Sequence, residues 1–147
     1  MRSLIISALL ISTSAFAGEW VTKKVSFSPR TYTGGSAHYY NCRSVESTVE
    51  SHLEALGATN VSIRCSGGIE RGWSTPAHVS GSYDVKMPET NDMARVVTLK
   101  GFDSCNLNSE FLDYVVKEIP GATVLKRRAS CFGGRTDRWS YDIQIME

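Results

Sequence analysis

This chain of 147 residues has no apolar run long enough to cross a bilayer: the longest, residues 4–11, falls far short of the roughly 20 residues a spanning helix needs. It has almost no excess of charge, with 16 basic and 15 acidic residues and a formal net charge of +1. A general binder of polyanions, nucleic acid among them, needs a basic surplus gathered on one face, so that class is not expected. There is no C-x-x-C pair, and the wide intervals between cysteines do not match zinc-ligand spacing, so neither a zinc site nor a free catalytic thiol is the leading reading of them. Gly-x-Ser-x-Gly, His-Glu-x-x-His and Walker motifs are also missing, which removes the commonest hydrolase, zinc-peptidase and nucleotide sites. No cofactor is implied, and the expectation is a protein that is not an enzyme.

The N-terminus has the order of an export signal. Arg2 is followed by the apolar run and then by Ala15-Phe16-Ala17, a small-x-small cleavage site. Residues 1–17 are read as a signal peptide and 18–147 as one domain, periplasmic or secreted, without membrane insertion. Arg2 is the only charged residue in the leader, so the remainder is electrically balanced.

Cys42, Cys65, Cys105 and Cys131 all lie beyond the leader, where an oxidising compartment lets an even set pair. They also mark an internal repeat. Cys42, a helical pattern, Gly57-Ala58-Thr59, Cys65-Ser66-Gly67-Gly68 and Ser82-Tyr83-Asp84-Val85 recur in order as Cys105, a helical pattern, Gly121-Ala122-Thr123, Cys131-Phe132-Gly133-Gly134 and Ser140-Tyr141-Asp142-Ile143. Trp73 and Trp139 are read as a further matching pair.

Periodicity assigns the elements. Val45, Val49, Leu53 and Leu56 form one helical stripe, and Leu107, Phe111, Val115 and Ile119 another, each stopped at a glycine. Glu46, Glu50 and Glu54 fall on one side of the first helix and read as a solvated face. Strands are expected over 20–27, 60–65, 94–99 and 122–131, and the closing strand of each unit alternates, with Val79, Tyr83, Val85 and Met87 in one and Trp139, Tyr141, Ile143 and Ile145 in the other. The fold class is α+β: two tandem βαββ units, 20–87 and 94–146, forming a two-layer sandwich in which one largely antiparallel sheet is covered by two helices. In a βαβ path the helix N-terminus and the end of the following strand share one end of the unit. That predicts bridges Cys42–Cys65 and Cys105–Cys131 rather than cross-unit pairs.

The two units differ in their connections. The first inserts residues 28–41 before its first cysteine and roughly 69–77 after its second, and both insertions emerge at the same end. They carry the candidate binding residues Arg30, Tyr32, His38, Tyr40, Arg71 and Trp73, aromatic and arginine side chains of the kind that dominate binding surfaces. Long loops also tolerate such residues as packing, Tyr39 and Tyr40 beside Cys42 above all. His38 and His78 are near enough in the topology to meet, but no ligand spacing announces a metal; His52, mid-helix beside Leu53, reads as partly packed or exposed. Gly67-Gly68 and Gly133-Gly134 read as turn or bulge glycines, and Asp84 and Asp142 as solvated. The functional expectation is an exported, disulfide-stabilised bacterial protein whose first-unit loops bind a protein or cell-envelope component. A secreted enzyme inhibitor and a glycan-binding module using Tyr32, Tyr40 and Trp73 are the alternatives.

Overall fold

The computed structural model describes residues 18–33, 36–131 and 137–147; residues 1–17 and Gly133-Gly134 lie outside them. The elements run β1 (Trp20–Phe27), β2 (Tyr32–Thr33), β3 (Ser36–Ala37), α1 (Cys42–Ala55), β4 (Thr59–Glu70), β5 (Trp73–Lys86), β6 (Ala94–Gly101), α2 (Cys105–Val115), β7 (Thr123–Ser130) and β8 (Arg138–Met146). The six long strands form two antiparallel three-stranded sheets, ordered β1-β5-β4 and β6-β8-β7, each with its last strand in the middle. The single sheet expected from the sequence is thus corrected to two. β1 and β6 do not pair with each other; residues of each lie beside the helix of the other half. Phe27 at the end of β1 packs on Phe111 and Tyr114, with ring centroids 5.5 and 5.6 Å away, and the Ser26 amide donates to Tyr114 Oη. Leu99 and Lys100 of β6 line a cleft with Ser47, Thr48 and Ser51 of α1.

Both helices begin where the apolar stripes predict, but α2 ends at Val115, short of the expected stop at Pro120-Gly121, and Ile119 lies in the turn beyond it. Asn41 caps α1 by accepting from the Arg43 amide at 3.0 Å, and Gly57, at φ 87°, takes the left-handed turn past its end. Val45, Val49, Leu53 and Leu56 are buried, as are Phe111, Leu112, Val115 and Ile119, and all belong to one hydrophobic cluster shared by the two halves.

The closing strands match position for position. Tyr83 and Tyr141 are both buried, and the adjacent carboxylates are held alike: Thr22 Oγ1 donates to Asp84 Oδ1 at 2.6 Å and Thr98 Oγ1 to Asp142 Oδ1 at 2.7 Å. This alignment corrects two details. Met87 lies past the end of β5 and is 38% exposed, outside the buried stripe. The strand position of buried Trp139 corresponds to Gly81, not to Trp73. Gly81 stands opposite Val25 while Trp139 stands opposite Gly101, so the large and small members are exchanged across the strand pair. A Cβ on Gly101 would sit 2.8 Å from the indole, and one on Gly81 would sit 2.0 Å from the Ser62 carbonyl oxygen. Each glycine is therefore required by its neighbour.

The disulfides join Cys42 to Cys65 and Cys105 to Cys131, with Cα atoms 5.2 and 5.4 Å apart, the pairing expected from the strand–helix–strand path.

Candidate functional site

The two insertions of the first half have different structures. Residues 69–77 are not a loop: β4 and β5 continue past the disulfide as a two-stranded ribbon in which Ile69 pairs with Ser74 and Glu70 with Trp73, closed by the two-residue turn Arg71-Gly72. Gly72, at φ 80°, takes the left-handed conformation at the second central position of the turn, where glycine is favoured. Pro76 disguises the strand in the sequence, but it lies where the register shifts between Ser66 and Gly68, so its missing N–H breaks no regular pair. Gly67 and Gly68 are the bulge glycines that produce this shift, as expected. A Cβ on Gly67 would lie 2.3 Å from the Pro76 carbonyl oxygen, and one on Gly68 would lie 2.4 Å from that of Tyr40. The bulge seats the ribbon on the disulfide, and the Ile69 amide donates to the Tyr40 carbonyl at 2.9 Å.

The other insertion is tied down at several of its described residues. Ser28 Oγ lies 2.9 Å from His78 Nδ1, the Arg30 amide donates to Glu110 Oε2 at 2.9 Å, and the Arg30 side chain lies 3.5 Å from Oε1 of the same carboxylate. β2 and β3 pair as a short hairpin, and the His38 amide donates to the Thr31 carbonyl at 2.6 Å. Tyr40 is half-buried against the core; burial first, and then the Glu110 charge, raise its phenol above the usual range.

The candidate residues whose side chains are described do not line one cleft together. Arg71 and Trp73 stand at the ribbon tip, where they line a cleft with Asn41, Ile69 and Glu70. Arg30 is held on the α2 side by Glu110, Tyr40 packs inward, and His38 is half-buried. The Tyr32 side chain lies outside the described residues. Ile69 is the tip residue the sequence reading passes over: it is 47% exposed, and Trp73 is 79% exposed. Its signal is the apolar pair flanking Arg71-Gly72 once that dipeptide is read as a hairpin turn. Among the described residues there is no cluster of His, Cys, Asp or Glu able to hold a metal.

A second feature lies between the halves. His52, read from the sequence as partly packed or exposed, is buried, with the ring of Phe111 stacked at 6.3 Å and Trp139 edge-on at 5.5 Å. Asn108 Nδ2 donates to the carbonyls of Asp103 and Ser104, which leaves its Oδ1 to accept from His52 Nε2 at 2.6 Å. Burial lowers the His52 pKa, with the Asn108 bond acting the other way. A histidine kept neutral in the fold adds nothing to pH dependence above its unfolded pKa of about 6.5, and costs stability as pH falls below that value and the unfolded chain takes up the proton. Between pH 7 and pH 5 the melting temperature of the protein is expected to fall more steeply than that of His52→Gln, which keeps a donor for Asn108; parallel curves for the two would exclude His52 as the cause.

The chain matches no protein-family model, no curated protein and no solved structure. No helix among the described residues is long and apolar enough to cross a membrane.

Proposed function

We propose that this is an exported, non-catalytic binding protein, built from two tandem copies of a βαββ unit, that uses the ribbon of its first half to engage a protein or cell-envelope component in the periplasm or outside the cell. The signal-like leader and the two disulfides support export. The shared strand order and the paired Thr22–Asp84 and Thr98–Asp142 bonds support duplication. The observation that carries the binding role is Trp73, an indole 79% exposed on a ribbon that a glycine bulge and a disulfide hold in place. A large aromatic presented on a pre-ordered element gives contact area at little entropic cost, the property of a binding anchor.

The test separates anchor from scaffold. Replacing residues 69–74 by Asn-Gly should shorten the ribbon while keeping Gly68, Thr75 and buried Ala77, at a stability cost of about 1 kcal/mol, the scale of one lost backbone hydrogen bond. Affinity capture from the exported fraction of the native host should recover a partner with the parent protein and lose it with both the shortened ribbon and Trp73→Ala. Equal recovery by all three would remove the ribbon from the function. A hydrolase as the partner would give the inhibitor reading, and retention on a neutral glycan column would give the glycan-module reading.

A further inference from the structure

Charge that nearly cancels over the chain is unevenly placed in the fold. The helices carry Glu46, Glu50, Glu54, Glu110 and Asp113. The outer face of the second sheet carries the opposite sign. β8 buries Trp139, Tyr141 and Ile143, so alternation turns Arg138, Ser140 and Asp142 outward. The register sets Lys100 and Arg128 on either side of Ser140, and Thr98 and Lys126 on either side of Asp142. Arg127 points the other way, to the carboxylate of Asp113 on α2 at 2.9 Å and to the inward Tyr141 ring at 5.7 Å, which confirms the direction of its neighbours. Among the described residues of β6, β7 and β8, four cations, Lys100, Lys126, Arg128 and Arg138, thus share a face with the Asp142 carboxylate, which Thr98 holds; Asp137 stands at the margin.

A cleft of about 500 Å³ is lined by Gly101, Phe102 and Trp139 together with Lys100, Arg128 and Arg138. Phe102 is 63% exposed, and the Arg138 guanidinium lies 5.4 Å from its ring centroid. We infer that this face binds an acidic polysaccharide, the C–H face of a sugar ring lying on Phe102 while carboxylate or sulfate groups meet the surrounding cations. Arginine forks suit both oxyanions. Single-stranded nucleic acid is the poorer fit, because it asks for successive aromatic platforms and among the described residues this face exposes one, Phe102. An apolar protein interface is poorer still, because Gly101, Phe102 and Trp139 share the cleft with the cations. The inference is independent of the ribbon: it concerns the other half of the chain, and either reading survives the failure of the other.

The test is calorimetric titration of the protein, at about 0.15 M salt, with heparin as the sulfated probe, polygalacturonate as the carboxylated probe, dextran as the neutral control and oligothymidylate as the nucleic-acid control. At least one acidic glycan should bind, more weakly as salt rises, and dextran should not; which one binds identifies the oxyanion. Lys126→Gln with Arg128→Gln should weaken that binding roughly tenfold, the scale of two lost charge-assisted contacts. Phe102→Ala should weaken it roughly threefold with the salt dependence unchanged. Lys24→Gln with Arg64→Gln, exposed cations of the first half, should leave it within about twofold. No preference for either acidic glycan over dextran, an equal loss in the first-half control, or equally tight oligothymidylate binding would each overturn the inference. Unchanged melting temperatures show that the substitutions leave the fold intact.

Discussion

Phe111→Ala should destabilise the protein by about 3–5 kcal/mol, the range for truncating a large aromatic in a core that cannot collapse around the gap. Phe111 is fully buried and touches both halves: Phe27 of β1 meets it edge-on at 5.5 Å, His52 of α1 stacks on it at 6.3 Å, and Tyr114 of its own helix lies 6.3 Å away. Its removal empties the junction instead of one half, so the whole chain should unfold in a single transition at lower denaturant. Tryptophan fluorescence and far-ultraviolet circular dichroism, followed through the same urea titration, should give coincident midpoints. A variant in which one half melts while the other persists would show that the halves do not depend on a common core.

Phe111 also shows where the sequence stops being informative. That it belongs to a buried helical stripe is legible, because periodicity depends only on spacing along one element. That it meets Phe27 and His52 is not, because packing between elements far apart in sequence leaves no local pattern. The single sheet expected from the sequence failed for the same reason: nothing in the edge residues of β1 and β6 says that they do not pair with each other. The disulfide pairing was legible because topology limits which ends of a βαβ path can meet. The ribbon was partly hidden by Pro76, and the Trp73–Trp139 match was misled by residue identity. The register aligns Trp139 with Gly81, and the compensating Val25 and Gly101 sit on other strands, where only a pairing partner reveals them. Tyr83 and Tyr141 occupy equivalent strand positions, yet Tyr141 Oη has Ser109 and Asp113 within 3.1 Å, while buried Tyr83 Oη has no partner among the described residues. The candidate site was legible as a region. Its centre narrowed to Ile69, Arg71 and Trp73 only once the strands were paired.

Replacing Cys42 and Cys65 together by alanine should cost about 3 kcal/mol, the chain-entropy value for a closed loop of this size and a large share of the 5–15 kcal/mol that holds a typical domain folded. The corresponding change at Cys105 and Cys131 should cost at least as much, because Cys105 is 3% exposed and its truncation adds a cavity to the lost constraint. The two bridges should nevertheless differ in local effect. Cys42 Sγ lies 3.3 Å from the position a Cβ on Gly68 would take, so the first bridge sits directly under the bulge that seats the ribbon. Without it the ribbon keeps its cross-strand bonds and the Ile69 amide bond to Tyr40, but loses the covalent support beneath the bulge. Under conditions where both variants remain folded, trypsin should therefore cleave after Arg71 at least several-fold faster in the Cys42/Cys65 variant than in the parent, and at the parental rate in the Cys105/Cys131 variant, because local opening and not global unfolding sets the rate of nicking at an exposed turn. Equal acceleration in both would mean that cleavage reports global stability and that the bridge does not hold the ribbon.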